Sequence, residues 1–521
     1  MAGDSGHNEA MKTKDLHSIY WLVAAIVIVR AAIQILVINE YGYFVDEFYY
    51  LACSDRLASG YVDHPPLSIW ILKFVRVLFG DSLAAIRSVS ILAGALTVIL
   101  SARLAYRLGA GCFGISFAAL AVAIVPVYLG MNKLYSMNSL DLVFWTGSIV
   151  LLLRVLERPT LANWAVLGVL LGVALLNKHS ILFLGFAIAV GLLFTSHRRL
   201  FLTPGPYLTG TIALVLFAPN LYWEIQNHWP TLEFMENARA FKNYFTPAHF
   251  LVGQVLEIHP LLPPLWLLGL GALLLTEALR PFRILAFMYL ALLVLFLATA
   301  AKTYYFAPAY PMLLAAGAFQ LERLSDARRG LRGLAIALTV LGGGALLPMS
   351  LPLLAPPDYI AYQKFLGLEP PQLENHRLGP MPQHFASMFG WPELVEAAGE
   401  ATASLSETER AEAVFLGSSY GMAGALEWAR NSGRDLPAVG SGHNNYYQWG
   451  PPIPDSGRAP RVILAVGYER TDLEPYCGSL QVASVARCEY CMGFRQELPI
   501  YVCRAPRSDL SELWPEIKRF I

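Results

Sequence analysis

Between Ile19 and Val37 the chain runs apolar with a single charge, Arg30. A stretch of that length crosses a bilayer only as a helix, because every backbone polar group must find its partner inside the segment. It exceeds a signal-peptide core, and no small-residue cleavage site ends it before Glu40, so the sequence predicts an uncleaved first transmembrane helix. Ten further apolar blocks lie near Leu83–Ser101, Ile115–Leu129, Leu140–Leu153, Trp164–Leu176, Ile181–Phe194, Tyr207–Leu221, Val255–Thr276, Ile284–Thr299, Phe306–Leu321 and Leu334–Leu354, which makes about eleven spans. Blocks of about 14 residues also suit buried or re-entrant segments. Hydrophobic residues at 56% against 15% charged exclude a disordered chain and an ordinary cytosolic enzyme.

The chain carries 38 basic and 38 acidic residues, so no net positive footprint points to nucleic acid. The charges are unevenly spread. Residues 355–521 hold 20 acidic and 14 basic groups, the density of a water-soluble domain, whereas residues 1–354 hold 24 basic and 18 acidic. The expected architecture is mainly α: a polytopic membrane helix bundle over 1–354, followed by a soluble α/β domain over 355–521. In that domain Ala413–Leu416, Val462–Val466 and Ile500–Cys503 read as strands and Met422–Ala429 as a helix.

Alternate connections collect Arg103/Arg107, Arg154/Arg158, Arg198/Arg199, Arg280/Arg283 and Arg323/Arg328/Arg329/Arg332, and Lys12/Lys14 precede the first span. The positive-inside rule makes that side cytoplasmic, and an odd number of spans then places the C-terminal domain of this multi-pass membrane protein outside. The opposite loops hold most polar residues of chemical interest. Nucleotide-sugars and ATP are absent there, so chemistry on that face needs a substrate delivered by the membrane.

The first outer loop carries Asp46-Glu47-Phe48-Tyr49-Tyr50 and then Asp63-His64-Pro65-Pro66-Leu67, with a helix predicted over Leu67–Phe79 after the prolines. Asp141 stands at the outer end of a predicted span, and Lys178 and Lys302 stand at others, beside His179 and Tyr304/Tyr305. Each lysine suits a lipid phosphate at headgroup depth and equally suits snorkelling to the interface. Arg30 costs at least ~2.5 kcal/mol inside the bilayer if unpaired, so it must face the bundle and a partner, structural or phosphate. The segment 222–254 is aromatic and amphipathic, as an interfacial helix would be, and offers Asn227, His228 and Glu233 to a substrate. In the C-terminal domain Ser441–Gly450, with His443, is dense in groups able to stack on and hydrogen-bond a sugar.

These motifs resemble the membrane-embedded polyprenyl-phosphate-sugar glycosyltransferases of the GT-C fold. The likeness is to the bacterial family 39, PMT-like branch, related to protein O-mannosyltransferases and the lipid A aminoarabinose transferase. The resemblance extends through Met137–Asp141, Asn177-Lys178-His179, Pro219–Gln226 and Lys302–Pro311. Where relatives often have Ser-Lys-Tyr, this chain has Asn177-Lys178-His179. It implies an inverting transfer from a polyprenyl-phosphate sugar, in membrane lipid, to a glycan, lipid or protein acceptor. Asp46 would be the base, Glu47 a neighbour that orients the loop or acceptor, and Asp141 a second carboxylate. Arg30, Tyr49, Tyr50, Asp63, His64, Lys178, His179, Lys302, Tyr304, Tyr305 and His443 would contact substrate. The residues suit this chemistry on their own terms: the leaving phosphate is a stable anion, so one carboxylate plus cations suffices, unlike the carboxylate pair of glycoside hydrolysis. No cofactor is required by this reading, and a divalent metal is possible without support from the sequence.

Other patterns compete. Gly109–Gly114 fits G-x-G-x-x-G but follows a span rather than a strand, and reads as a helix–helix turn. Gly417–Gly421 fits G-x-S-x-G in strand–turn–helix context, with Asp435 and His443 downstream, although the domain is small for a hydrolase sheet. Cys477, Cys488, Cys491 and Cys503 favour disulfides of undetermined pairing, with Cys53 and Cys112 unpaired. A lipid or glycan transporter is the alternative of another class, although no internal repeat is evident.

Overall fold

A computed structural model describes residues 13–521 except 373 and 376, with side chains from residue 17 onward. Lys12 and the side chain of Lys14 lie outside the described residues. Contacts divide the chain into two compact units, Met1–Ile38, Arg87–Ala218 and Phe245–Leu353 in one, Asn39–Ile86, Pro219–Tyr244 and Leu354–Ile521 in the other.

Every apolar block of the sequence carries helix. Among the described residues His17–Leu36, Leu83–Arg107, Met137–Glu157, Gly205–Gln226 and Arg329–Ser350 are long and apolar enough to cross a membrane. Two further pairs are bent, Cys112–Ala123 with Pro126–Asn132 by 60° and Ile181–Leu193 with Ser196–Leu202 by 110°. Leu161–Leu175, Pro263–Leu275 and Ile284–Ala298 are shorter. Length and composition thus give five spans, or seven with each bent pair as one, and the expected count of eleven is not confirmed.

The first bend has a local cause. Pro126 opens the second helix, and Val125 before it is extended, so the helix cannot continue through the junction. Arg30 takes up what the break leaves open: Nε donates to the Ala123 carbonyl at 3.2 Å, Nη2 to Asn132 Oδ1 at 2.8 Å and Nη1 to Gln34 Oε1 at 2.9 Å. A Cβ at Gly94 would lie 2.1 Å from Nη1, so glycine makes the space for the guanidinium. The intramembrane charge therefore has its partners, and they belong to the protein.

The Gly109–Gly114 turn also binds an anion, but an internal one. Glu322 accepts from the Gly111 N–H at 2.6 Å through Oε2 and from the Phe113 N–H at 3.0 Å through Oε1, capping the helix Cys112–Ala123. A Cβ at Gly111 or Gly114 would stand within 2.9 Å of that carboxylate. Glu322→Ala strips two N–H groups of their acceptor and is expected to cost about 1–2 kcal/mol. Thermal unfolding in nanodiscs measures it, and an unchanged midpoint would show that water replaces the carboxylate at no cost.

In the second unit a five-stranded sheet has the order β2-β1-β3-β5-β4, from β1 (Ala413–Gly417), β2 (Ala438–Ser441), β3 (Val462–Val466), β4 (Cys477–Arg487) and β5 (Glu497–Pro506). β2, β1 and β3 run parallel, and β5 and β4 join antiparallel. β2 and β4 were not expected from sequence. β2 is small-residue Ala-Val-Gly-Ser, and the register shift between Val482 and Ser484 in β4 breaks the alternation that marks a strand. Cys477 pairs with Cys503 across β4 and β5, and Cys488 pairs with Cys491, while Cys53 and Cys112 form no disulfide.

Asp46 and Glu47 lie not in a loop but in the first turn of the helix Val45–Asp55, where acidic residues complement the helix dipole. This helix lies beside Tyr420–Asn431. A Cβ at Gly421 would meet Val45 Cγ2 at 2.3 Å and one at Gly424 would meet Phe48 Cβ at 3.0 Å, so these glycines set the close approach. Phe48 continues into a core with Trp391, Phe415, Leu464 and Ile500.

Candidate active site

The G-x-S-x-G turn joins β1 to the helix Tyr420–Asn431, and its serine caps that helix: Ser419 Oγ accepts from the Met422 N–H at 3.4 Å. Asp435 is exposed and bound to Arg410 at 2.7 Å. No Ser-Asp-His relay forms. The turn instead delivers Tyr420, whose hydroxyl donates to Asp46 Oδ1 at 2.8 Å.

Around that bond the second unit gathers most of the residues of the first outer loop. Glu47 is buried and its Oε2 accepts from the Phe44 N–H at 2.8 Å, so it holds the entry to the Asp46 helix. The Tyr49 hydroxyl, on buried Tyr49, faces Asp63 Oδ1 at 2.8 Å and Asn445 Oδ1 at 2.7 Å, and Asn445 Oδ1 also accepts from the Val62 N–H. Rings pack at a tilt, Tyr49 against Tyr420 at 4.6 Å and Tyr420 against His443 at 4.7 Å, with a separate pair of Tyr50 against His64 at 4.7 Å. His64 is fully buried, with Nδ1 3.0 Å from the Pro65 carbonyl oxygen and Nε2 4.0 Å from Asp63 Oδ1. Gly60 leaves room for Trp223, whose ring a Cβ would meet at 2.4 Å.

Burial raises the Asp46 carboxyl above the ordinary carboxylate range, against the Tyr420 hydrogen bond and the Lys242 ammonium, and Asp63 and Glu374 push it further up. Burial likewise raises the Tyr420 and Tyr49 phenols, which therefore remain donors. Tyr420, Lys242 and Glu374 were not among the expected site residues, and Asn445 was expected only as part of the Ser441–Gly450 stretch. Tyr420 was legible only as the residue after the capping serine, and Lys242 only as one charge in the amphipathic stretch.

His443 is spent on the fold. Its Nδ1 accepts from the Tyr420 N–H at 3.3 Å and Nε2 donates to the Ile521 main-chain oxygen at 2.8 Å, which sets a neutral tautomer. Burial, with Lys242 and Arg519 nearby, lowers its pKa to about 3. The unfolded chain takes up a proton near 6.5 that the folded chain refuses, so stability is expected to fall as pH drops from about 6.5 toward 3. His443→Gln should flatten that decline in chemical denaturation at stepped pH, and an unchanged slope would assign the acid limb to other groups.

The first unit holds a second cluster. Asp141 is buried, accepts from Ser180 Oγ at 2.8 and 2.9 Å and lies 3.4 Å from Lys178 Nζ. Lys178 also donates to Asn138 Oδ1 at 2.7 Å and sits 4.7 Å over the Tyr305 ring. Asn177 Nδ2 donates to the Met137 carbonyl at 2.9 Å. Tyr304 packs edge-on against Tyr305 at 4.7 Å, half-buried Lys302 stands immediately before the short helix Thr303–Ala309, and His179 meets the edge of Phe217 at 5.8 Å. The resemblance's carboxylate and cation positions 141 and 178 are thus one buried ion pair. His228 and Trp229 take left-handed conformations between the helices Gly205–Gln226 and Pro230–Asn237, and Glu233 pairs with Lys518 at 2.7 Å. Among the described residues no group of three or more His, Cys, Asp or Glu is placed to hold a metal ion.

Residues 63–223 match the family described as dolichyl-phosphate-mannose-protein mannosyltransferase. The fold matches ArnT from Cupriavidus metallidurans in the apo state with a TM-score of 0.62 at 17% identity, over 92% of this chain and 98% of that one. The same protein bound to undecaprenyl phosphate gives 0.59 at 16% identity, over 92% and 97%. The chain has the ArnT-like GT-C fold. It is a multi-pass integral membrane protein. This GT-C chain is also similar to the lipopolysaccharide core galacturonosyltransferase RgtB of Rhizobium johnstonii, 26% identical over 40% of the chain and 42% of that protein. A lipid A galacturonosyltransferase of the same organism, RgtD, is 24% identical over 41% and 47%. The matched part spans less than half the length of either relative.

Proposed function

We propose that this GT-C chain is an inverting glycosyltransferase that moves a sugar from a polyprenyl-phosphate donor to an acceptor on the extracytoplasmic side. The membrane part is 1–354 and the outer domain 355–521. The observation that carries the reading is the Asp46 carboxylate, set at the first turn of a helix, oriented by the Tyr420 phenol and partly desolvated, as a general base must be. Asp46 takes the proton of the acceptor hydroxyl as its oxygen attacks the anomeric carbon from the face opposite the phosphate. The C–O bond to phosphate breaks and the polyprenyl phosphate leaves as an anion, which cations stabilise without an acid. Lys178 and Lys302 take that role in this reading.

The family match and the likeness to ArnT, solved with undecaprenyl phosphate, support a polyprenyl-phosphate donor. The galacturonosyltransferase relatives support a lipopolysaccharide or lipid A acceptor in the cell envelope. The bent pair at Ala123/Pro126 is a feature that a lipid or glycan carrier would also use. Proteoliposomes with radiolabelled polyprenyl-phosphate sugar inside and acceptor on both faces separate the two readings. Covalent transfer to acceptor supports the enzyme, and movement of intact donor without transfer overturns it.

A further inference from the structure

The paired helices Val45–Asp55 and Tyr420–Asn431 run side by side from the Asp46–Tyr420 contact, and roughly 10–15 Å along them a second polar cluster joins them. Arg56, just past the first helix, lies bidentate against Glu427 of the second, with Nη1 to Oε2 at 3.3 Å. The Tyr446 hydroxyl donates to the same carboxylate. The Arg56 guanidinium stacks on Trp449 at 4.3 Å, and Tyr446 meets Trp449 edge-on at 4.8 Å. Arg430, one turn beyond Glu427, is bound to Asp455 at 2.9 Å.

Arg56, Glu427, Arg430, Tyr446 and Trp449 line a cavity of about 290 Å³ whose wall also includes Ile453, a residue 67% exposed. Its chemistry narrows the ligand. Each arginine already faces a carboxylate, so the cavity offers fixed, directional N–H donors and a carboxylate acceptor without surplus positive charge. That disfavours a phosphate, which draws its binding energy from uncompensated cations. An indole with a tyrosine at its edge, rimmed by held donors and acceptors, fits the alternating apolar face and hydroxyl edge of a pyranose.

We infer that this cavity binds a neutral pyranose unit of the acceptor, a few sugar residues away from the hydroxyl that reacts. The inference rests on the glycosyltransferase reading for its meaning, but not for its test. Trp449 supplies apolar ring surface beside the Arg56 guanidinium, and the Arg56–Glu427 pair reads vicinal hydroxyls. An acceptor that carries several sugars then gains affinity that a single sugar lacks.

Saturation-transfer NMR on the full chain in nanodiscs, free of alkyl glycosides, tests it with cellobiose, lactose and chitobiose as probes. Saturable transfer to pyranose ring protons is expected for at least one disaccharide in wild type. It should persist in Asp46→Asn, weaken at least tenfold in Trp449→Ala and survive in Trp449→Phe. Absence of saturable transfer from all three probes to wild type overturns the inference, as does displacement by inorganic phosphate or equal binding by a Trp449→Ala protein with wild-type melting. Because Asp46→Asn is silent in chemistry but competent here, loss of glycosyl transfer and loss of sugar binding are read separately.

Discussion

Asp46→Asn is expected to lower the rate of glycosyl transfer by about 100- to 10,000-fold, the range lost when a positioned general base is removed. The asparagine keeps an oxygen that can accept from the Tyr420 hydroxyl, so the helix pair has no reason to separate. Stability should move the other way. Burial raises the Asp46 carboxyl, so the folded chain holds its proton at pH values where the unfolded chain has already released it. Folding stability therefore falls as pH rises from the ordinary aspartate value to the raised one, and stays lower above it. Replacing the carboxylate by an amide removes that penalty, and the melting midpoint at neutral pH should be unchanged or higher while transfer collapses. Tyr420→Phe gives the complementary result. Without the phenol that favours the charged form, the acid limb of kcat/KM shifts to higher pH, with little loss on the alkaline plateau. A measured rate for Asp46→Asn within a few-fold of wild type would remove this carboxylate from the chemistry.

Lys178→Met is expected to be strongly destabilising. It leaves Asp141 buried beside Ser180 without its cation, and removing one partner of a buried pair costs about 3–5 kcal/mol. The double variant Lys178→Met/Asp141→Asn removes both charges and is expected to recover most of that loss in denaturant midpoint, because an amide can still accept from Ser180. Transfer activity separates structure from function. If Lys178 also meets the donor phosphate, the stable double variant stays inactive. Recovery of both stability and turnover would make the pair purely structural.

How much of this was legible beforehand varies by element. Leu67–Phe79 is a helix as its leading prolines indicate, and Arg30 has the interior partners that its cost in the bilayer demands. Those are local arguments, settled by backbone sterics and desolvation within one segment. The nature of Arg30's partners was not legible, since Ala123 and Asn132 stand far along the chain and become neighbours only at the Pro126 break. The G-x-G-x-x-G and G-x-S-x-G strings show the limit more plainly. Each has the expected turn geometry, yet one cradles Glu322 and the other caps a helix with Ser419 while presenting Tyr420. A short motif specifies backbone shape, and what occupies that shape comes from elsewhere in the chain.

Apolar blocks, prolines and charge density by themselves determined a helical membrane chain with a charged C-terminal α/β region, because hydrophobic length and backbone restriction act over neighbouring residues. The motif around Asp46 was also readable as a string of residue types. Only the tertiary structure decided that Asp46 meets Tyr420, that Asp141 and Lys178 form one buried pair, and that His443 serves the fold. Hydrogen bonds and ion pairs between distant residues depend on angstrom-level packing, here set by glycines such as Gly421 and Gly424, which no pattern along the chain encodes.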